Sequence, residues 1–268
     1  MSKLKLNIVI VGAGNVAWHL AKELQKKEQK IIQVYNRSIE PAISLSQRLK
    51  CDFTTRIEDI NENADLYILT VKDSVIEEVS ELIKIKNKLI VHTSGAVEKD
   101  VIKHKRRGVF YPLQTFSKEK KLNFKNIPFC IEASTSEDYS TLMRLATLLS
   151  PMVYNIDSNQ RKVLHVAAVF ACNFTNYMYM ISDEILSDKN IPLDILYPLI
   201  KETATKISKH KPKDVQTGPA VRNDQSVIED HLNYLKKGIN YDIYKLLSKN
   251  IIDKNILSEL INKSYSTF

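Results

Sequence analysis

The sequence predicts an α/β protein in which a doubly wound, mostly parallel sheet is followed by an all-α domain. Up to about residue 156, short apolar runs typical of buried parallel strands alternate with amphipathic stretches that favour helices. Beyond that point the apolar residues recur only at helical spacing. We therefore expect two domains, residues 1–157 and 158–268, with the boundary near residues 156–158.

The first strand and the first helix enclose a glycine-rich turn. An apolar strand over residues 6–11 runs into Gly12, and a helix begins at about Asn15. In the pattern G-x-G-x-x-A, the two glycines let the backbone approach a diphosphate, and Ala17 lets the helix pack closely on the strand. This order of strand, turn and helix is typical of a Rossmann-type dinucleotide-binding domain, although an ordinary turn in another α/β protein would share the glycines.

The start of that helix is the expected diphosphate site. Its first N–H groups have no partner within the helix, and the positive end of the helix dipole favours an anion there. The residues that we expect to hold the diphosphate are Gly12, Ala13, Gly14, Asn15 and Val16.

The end of the second strand indicates which dinucleotide binds. Asn36, Arg37 and Ser38 follow this strand about 20 residues beyond the glycine turn, where the fold places the adenosine ribose. An acidic residue there would accept hydrogen bonds from a free 2′-hydroxyl and select NAD. The chain offers an amide, a guanidinium and a hydroxyl instead, which suit a 2′-phosphate and favour NADP. The alternative for Arg37 is an ordinary surface arginine.

The ends of two further strands are expected at the same edge of the sheet. Val71 and Lys72 end the strand over residues 65–71, and His92, Thr93 and Ser94 end the strand that begins at Lys88. Because the carboxyl ends of parallel strands face the ligand crevice, we expect these residues beside the cofactor and Ser94 near the reacting atoms. His92 could donate a proton or could be a hydrogen-bonded structural histidine.

The alternation continues to residue 156. Pro112 makes the extended segment over residues 109–116 either an edge strand or a strand that ends in a loop, and this loop carries Gln114. After a short strand over residues 127–132, we expect a helix over residues 136–149 with Ser136 as its N-cap. A last strand, over residues 151–156, is expected to close the sheet.

A long helix over about residues 158–186 opens the second half. Its middle is apolar nearly all round and is interrupted by His165 and Asn173. Such a helix must be buried on every side, and in a small domain a second subunit could cover one face. We therefore infer a homodimer through the C-terminal helices.

Polar residues on that helix are candidates for the substrate site. At about 100° per residue, His165, Cys172 and Asn176 fall on one stripe with Asn173 at its edge. The stripe either faces the nicotinamide or is a hydrogen-bonded part of the core. Further on, Arg222 could bind a substrate carboxylate or pair with a helix carboxylate.

The remaining segments are also expected to be helical. We place helices near residues 193–210, 224–237, 241–249 and 253–262. Pro198 is expected to kink the first of these helices, and Gly238 to cap the second.

Composition limits the other classes of function. The chain has 39 Lys and Arg residues against 31 Asp and Glu residues, a net charge of +8, and its one basic run covers residues 103–107. We interpret most of this charge as solvated surface that also attracts an anionic small molecule, with nucleic acid as a weaker option. Three separated cysteines without a CxxC pair argue against disulfides and a zinc site. With neither a signal peptide nor a membrane span expected, the predicted location is cytoplasmic.

Several segments together resemble a known family. They are residues 11–17, Asn36-Arg37-Ser38, His92-Thr93-Ser94-Gly95, residues 111–116, His165 with Asn173, and Thr217-Gly218-Pro219 with Arg222 and Asp224. The chain is similar to Rossmann-like proteins with a C-terminal DUF2520 domain, which are often labelled NADP oxidoreductases. It is also similar to the F420-dependent NADP reductase and pyrroline-5-carboxylate reductase group. The resemblance implies an NADP-binding Rossmann domain and an all-α domain that dimerises.

The sequence departs from the resembled families at two places. Related β-hydroxyacid dehydrogenases use a lysine and an asparagine one turn apart on the long helix, whereas here Lys162 is followed by Val166 and His165 by Val169. This difference argues against a 3-hydroxyacid dehydrogenase. The family also often has histidine where this chain has Tyr111.

The sequence as a whole predicts an NADP(H)-dependent oxidoreductase that transfers a hydride between nicotinamide and a small carbonyl or imine. His165 is the first candidate for a proton donor and Asn173 for a substrate-positioning residue, with Ser94 and Gln114 as further catalytic candidates. The alternative is a non-catalytic NADP-binding sensor or assembly protein, which the missing lysine and asparagine pair favours.

Overall fold

The computed structural model describes the backbone of residues 4–265 and the side chains of residues 4–255. The chain divides into two compact units, Met1–Ala171 and Cys172–Phe268, and each is described by itself below. The first unit therefore includes the start of the helical half, beyond the end of the strand–helix alternation. The domain boundary at residues 157 and 158 stays a prediction.

The first unit contains an eight-stranded sheet. Its strands are β1 (Asn7–Val11), β2 (Lys30–Tyr35), β3 (Asp52–Thr54), β4 (Leu66–Leu69), β5 (Leu89–His92), β6 (Arg107–Pro112), β7 (Phe129–Ala133) and β8 (Val153–Asn155). They lie in the order β3-β2-β1-β4-β5-β6-β7-β8. All neighbours are parallel except the antiparallel pair β6 and β7. The predicted doubly wound, mostly parallel sheet is confirmed.

Helices cover both faces of this sheet. They are α1 (Asn15–Lys26), α2 (Ile39–Leu49), α3 (Ile76–Leu82), α4 (Ser136–Leu149) and α5 (Ser158–Ala168). Successive residues of a strand point to opposite faces, so Ile8 and Ile10 join one apolar cluster, with α1, α2 and α4, while Val9 joins a second cluster with α3. Burial on both faces explains why the strands read as continuous apolar runs.

In the first unit one local prediction was wrong, and one choice between two alternatives was decided. The N-cap of α4 is Thr135, not Ser136, because the Thr135 Oγ1 accepts the Asp138 N–H at 3.1 Å. Strand β6 is not an edge strand, since it lies between β5 and β7. Pro112 is its last residue, so the alternative of a strand that ends in a loop is the right one.

The second unit is helical over its described residues. It contains α6 (Thr175–Ser187), α7 (Tyr197–Lys206), α8 (Gln225–Leu235) and α9 (Ile239–Tyr265), with a short 3-10 turn, Leu193–Leu196, before α7. The chain passes from α5 to α6 through a π-helical segment, Val169–Phe174. None of the helices within residues 4–265 combines the length and the apolar composition that a bilayer crossing requires.

Three predictions for the helical half were wrong. Pro198 lies in the first turn of α7, where its missing N–H is harmless, so it starts this helix instead of kinking it. Lys236, with a φ of 56°, ends α8 in place of Gly238. The two helices expected at the C-terminus are one helix, α9, because nothing between residues 249 and 253 interrupts it.

The long helix also differs from the expectation. Residues Val169–Phe174 form a π-helix, which has more residues per turn than an α-helix. The rotation of 100° per residue therefore does not hold between His165 and Asn176. The predicted stripe of His165, Cys172 and Asn176, which assumed that rotation, was wrong. In the single chain the apolar face is not buried either. Val163, Val166 and Phe170 are 71%, 58% and 65% exposed.

Candidate functional site

The strand order brings five strand ends to one edge of the sheet. Strands β2, β1, β4, β5 and β6 are neighbours and mutually parallel, so their carboxyl ends lie side by side. Strands β2 and β3 lie on one side of β1, and the strands from β4 onward lie on its other side, so the strand order reverses at β1. Ligands of open α/β sheets bind in the crevice at such a switch point. The glycine turn after β1 lies at this point.

Gly12 is required by the fold itself. Its φ is +109°, and its N–H donates to the Tyr35 carbonyl at 2.7 Å. A Cβ atom there would lie 2.8 Å from both the carbonyl oxygen and the Oγ1 of Thr70. Thr70 was missed by the sequence reasoning, although its place at a strand end could have indicated it.

Gly14 is different, because the protein itself leaves its surroundings open. It is the exposed N-cap of α1, and a Cβ atom there would have nothing within 4 Å. The first hydrogen bond of the helix runs from the Trp18 N–H to the Gly14 carbonyl at 3.0 Å, so the N–H groups of residues 15–17 precede it. Open space beside Gly14, at the end of the helix that carries these donors, fits a bound diphosphate.

Asn36 links the glycine turn to the end of β2. Its Oδ1 accepts the Ala13 N–H at 3.2 Å, and its Nδ2 donates to the Ser38 carbonyl at 2.8 Å. The Ala13 N–H is therefore engaged by the protein instead of pointing freely at a ligand. Asn36 and Ala13 therefore hold the glycine turn and the end of β2 together instead of offering polar groups to a ligand.

Arg37 and Ser38 are exposed at the end of β2. Among the described contacts, the Arg37 guanidinium has no hydrogen bond or ion pair, and the Ser38 hydroxyl makes no capping bond to α2. Burial raises the pKa of Tyr35 and the Arg37 charge opposes this rise, which places the guanidinium near that ring. A cation and a hydroxyl without protein partners at this position suit an anionic ligand.

The segment after β6 lies along the first turns of α1. Asn15 Nδ2 donates to the Phe116 carbonyl at 2.9 Å, and His19 Nε2 lies 2.7 Å from the Ser117 carbonyl oxygen. The Lys118 ammonium lies 5.0 Å from the centre of the Trp18 ring. The Asn15 side chain therefore holds this segment beside the expected diphosphate site.

The ends of β4 and β5 are tied together. Thr93 donates both its N–H and its hydroxyl to the Leu69 carbonyl, at 3.1 and 3.2 Å. Val71 is half-buried, and Lys72 is exposed before a 3-10 turn, Asp73–Val75. These residues border the crevice between β1 and β5.

His92 is fully buried and bonded within its own loop. Its Nδ1 accepts the Ser94 N–H at 3.2 Å, and its Nε2 lies 3.3 Å from the Glu98 carbonyl oxygen, which requires the neutral Nε2–H form. Burial, assisted by the Arg161 charge, lowers the pKa of His92 to about 4. Of the two roles that the sequence left open, this geometry favours the structural histidine.

Ser94 organises the same loop. Its Oγ accepts the N–H groups of Ala96 and Val97, each at 3.1 Å, so its oxygen is already engaged by two donors. The loop leads into Gly95, which is buried. Ser94 therefore sets the path of the backbone at the end of β5.

Three residues far apart in the sequence converge on Gly95. A Cβ atom at Gly95 would lie 2.6 Å from His165 Nδ1 and 2.8 Å from the Tyr111 hydroxyl. The Tyr111 hydroxyl lies 3.4 Å from His165 Nδ1, and the two rings meet edge to face. Tyr111 is buried at the end of β6, and His165 is half-buried on α5. A phenol and an imidazole thus lie together at the edge of the sheet where the crevice is.

Arg161 fixes α5 one turn before His165. Its side chain is fully buried, with Nη1 2.7 Å from the Glu132 carboxylate and Nη2 2.5 Å from the Val97 carbonyl. The Ser158 hydroxyl donates to the same carboxylate at 2.8 Å. Among the described residues, Arg161 Nε has no hydrogen-bond partner. Nothing in the sequence singles out Arg161, because an arginine on an amphipathic helix is usually exposed.

Gln114 and Asn173 are not joined to that pair by any described contact. Gln114 is exposed, and its Oε1 accepts the N–H of the adjacent Thr115 at 2.8 Å. Asn173 is exposed in the second unit. Their roles at the site stay predictions.

Comparison with known protein families matches both halves of the chain. Residues 7–95 match the family described as NADP oxidoreductase, coenzyme F420-dependent. Residues 127–251 match the domain of unknown function DUF2520.

The chain also matches individual proteins. It is 45% identical to a candidate NADP oxidoreductase from Bacteroides fragilis, with a TM-score of 0.88, over 94% of this chain and 100% of that one. It is 28% identical over 147 residues to a glutamyl-tRNA reductase from Methanococcus maripaludis. That match covers 52% of this chain and only 38% of the reductase.

Two more distant structures share the fold alone. A pyrroline-5-carboxylate reductase from Streptococcus pyogenes is 14% identical, with a TM-score of 0.63, over 94% of this chain and 98% of that one. An imine reductase from Myxococcus stipitatus, solved with NADP+, is 12% identical, with a TM-score of 0.63, over 96% and 94%. With the whole-length match to the Bacteroides protein, the chain belongs to the family of NAD(P)-dependent oxidoreductases in which an NADP oxidoreductase domain precedes DUF2520.

Proposed function

We propose that this protein is an NADP(H)-dependent oxidoreductase that transfers a hydride between nicotinamide and a small carbonyl or imine. One observation carries the proposal. The open space at Gly14, at the N-terminal end of α1, lies one strand away from Arg37, whose guanidinium has no hydrogen bond or ion pair among the described residues. An anionic diphosphate and an anionic 2′-phosphate would fill these two places.

The residues that would hold the dinucleotide divide by role. The N–H groups of residues 15–17 would bind the diphosphate, and Arg37 and Ser38 the 2′-phosphate. Gly12, Ala13 and Asn36 would act by shaping the turn, since their polar groups already bond to the protein. Val71, Lys72 and Thr93 would border the nicotinamide half, with His92 holding their loop in place.

The chemical step needs few groups from the protein. When bound, NADPH supplies the hydride. His165 would supply the proton, because it is half-buried on α5 and lies beside Tyr111 of β6, with its Nδ1 3.4 Å from the Tyr111 hydroxyl. Gln114 would contact the substrate, and the substrate-positioning role of Asn173 stays a prediction from the sequence. Ser94 would act through the loop, since its oxygen already accepts two N–H groups.

Imines are a favoured part of this substrate class. Two relatives in fold carry names that specify such substrates, an imine reductase and a pyrroline-5-carboxylate reductase. Both share the fold only, so the reaction is carried to this chain as a proposal.

Titration calorimetry tests the cofactor assignment directly. We expect NADP to bind more tightly than NAD, and Arg37→Ala to weaken NADP about tenfold or more while NAD changes little. Lys86→Ala removes an exposed charge before β5, at the opposite edge of the sheet, and serves as the control. Equal losses for both dinucleotides would remove Arg37 from the 2′-phosphate site.

A panel of ketones and cyclic imines with NADPH then separates an enzyme from a binding protein. Turnover of a panel member supports the oxidoreductase. Tight NADP binding without turnover would favour the alternative, a non-catalytic sensor or assembly protein. Nucleic acid binding has less support, since both arginines of the basic run are paired with carboxylates of the same chain: Arg106 with Asp138 at 2.5 Å and Arg107 with Asp100 at 2.7 Å.

We also propose that the protein is a homodimer. Large apolar side chains are exposed along the long helical segment, on both units: Val163, Val166, Phe170, Phe174, Tyr177 and Met180. Large exposed apolar side chains of this kind mark an interaction site. A second copy of the chain is the occupant that the DUF2520 resemblance implies.

A further inference from the structure

The contact between Tyr111 and His165 depends on three separate elements. Tyr111 is the penultimate residue of β6, His165 lies on α5, and Gly95 follows the end of β5. The phenol oxygen and the imidazole Nδ1 both border the backbone of Gly95, at the place that a Cβ atom would occupy. Any larger residue at this position would push the two rings apart.

The position of this pair relative to the crevice follows from the strand order. Strand β5 lies two strands from β1, on the side away from β2, which corresponds to about 10 Å. If the 2′-phosphate lies at β2 and the diphosphate at α1, the nicotinamide extends toward β4 and β5. The pair then lies at the nicotinamide end of the crevice, an inference that rests on the proposed function.

We propose that Tyr111 is a catalytic residue, whose hydroxyl gives a proton to the substrate oxygen or nitrogen while His165 returns a proton to the phenol. Tyr111 thus becomes the group that touches the substrate. His165 acts through Tyr111 and connects it to solvent.

The geometry gives the two residues different tasks. The phenol oxygen can accept the Nδ1–H of His165 and still direct its own O–H at a substrate. Because Nδ1 faces the phenol, Nε2 lies on the opposite side of the ring. His165 is half-buried, whereas Tyr111 is buried, so the imidazole is the member with access to water.

The proton step balances. The substrate carbon receives the hydride, and the electron pair of its double bond moves to oxygen or nitrogen. Tyr111 gives that atom its phenolic proton, and the resulting phenolate takes the Nδ1 proton of His165 as Nε2 accepts one from water. The net uptake is one hydride and one solvent proton.

The surroundings of Tyr111 act on its proton in two directions. Burial raises the pKa of Tyr111 to about 12, which keeps the phenol protonated but makes it a weak acid, so the proton returned by His165 is needed for its donation. The Arg161 charge acts in the opposite direction on the same phenol and would stabilise the transient phenolate. Arg161 is a positioning residue, since its hydrogen bonds hold α5 and it touches no reacting atom.

The pair itself can be tested without a substrate. Imidazole ¹⁵N spectra at one pH would compare the wild type with Tyr111→Phe, with His165→Gln used to assign the resonance. We expect the His165 Nδ1 signal to move in Tyr111→Phe and to stay in place in Tyr154→Phe, which removes an exposed hydroxyl from β8. An unchanged signal in Tyr111→Phe would overturn the pair. Gly95→Ala, provided that circular dichroism shows it folded, should move the same signal, because the three atoms nearest its Cβ belong to His165 and Tyr111.

The role of the pair is tested with NADPH and the panel of ketones and imines. We expect Tyr111→Phe to lower turnover by about 100-fold or more, the usual contribution of a general acid, with NADPH affinity within about twofold of wild type. The control Tyr154→Phe should retain wild-type turnover. Wild-type turnover in Tyr111→Phe would overturn the donor while leaving the oxidoreductase intact. A wild-type protein that binds NADPH but reduces no panel member would overturn the oxidoreductase, and the donor with it.

Discussion

The buried guanidinium of Arg161 lies 2.7 Å from the carboxylate of Glu132 and joins the first turn of α5 to β7. The Lys99 ammonium, at 3.7 Å, is a second cation near the same carboxylate. This contact fixes the helix that carries His165. It therefore couples the stability of the first unit to the geometry of the candidate site.

Neutralising the Glu132 carboxylate should destabilise the protein strongly. We expect Glu132→Gln to lower the free energy of unfolding by about 3 kcal/mol, because the variant leaves the buried charge of Arg161 without a counter-ion. Urea unfolding followed by circular dichroism measures the change. Glu58→Gln breaks an exposed pair with Arg56 and should leave the free energy of unfolding nearly unchanged. Equal effects of the two variants would contradict the structural role of Glu132.

The two glycines of the first turn should respond differently to alanine. Gly12→Ala forces a methyl group against the Thr70 carbonyl at a positive φ and should cost about 3 kcal/mol of stability. Gly14→Ala meets no protein atom and should cost about 1 kcal/mol or less, the loss of a favourable N-cap. It should nevertheless weaken NADP binding about tenfold or more, because the methyl group occupies the space assigned to the diphosphate. Titration calorimetry on a folded Gly14→Ala protein measures its affinity for NADP. An affinity equal to that of the wild type would mean that the diphosphate binds elsewhere.

The stability of the protein should fall in mild acid because of His92. Its pKa is about 4 in the folded chain against an ordinary value of 6.5, so between these values the unfolded chain binds more protons. Stability from this residue is therefore fully present above about pH 6.5 and is lost as the pH falls toward 4, by about 3 kcal/mol at most. Urea unfolding at pH 7 and pH 4.5 should show a smaller pH dependence for His92→Gln than for wild type. His210→Gln, at an exposed histidine of the second unit, should behave as wild type.

The proposed dimer can be tested on its exposed apolar face. The Val166 side chain is 58% exposed in the single chain. Val166→Glu places a charge in the proposed interface and should therefore shift the protein toward monomer. Light scattering coupled to size exclusion measures the mass. Leu82→Glu, at an exposed leucine of α3, is the matched control and should leave the mass of the wild type. A wild-type protein that elutes as a monomer would contradict the proposal.

Local patterns in the sequence determined the fold class, the glycine turn and the basic end of β2. Strand and helix periodicity is set by residues a few positions apart, so it is readable without knowing the rest of the structure. The position of Arg37 is readable for a similar reason, since a single strand and helix separate it from Gly12. By contrast, the cap of α4 and the end of α8 each depended on the conformation of one residue, which propensity alone does not determine.

Only the tertiary structure decided how the candidate site is assembled. Gly95, Tyr111 and His165 meet because β5 and β6 are neighbours and α5 packs behind them, and no local pattern encodes that contact. The same holds for the burial of Arg161 and for the two loop hydrogen bonds of His92. Side chains at such distances in sequence are brought together by the packing of whole elements, and their chemistry follows from that packing.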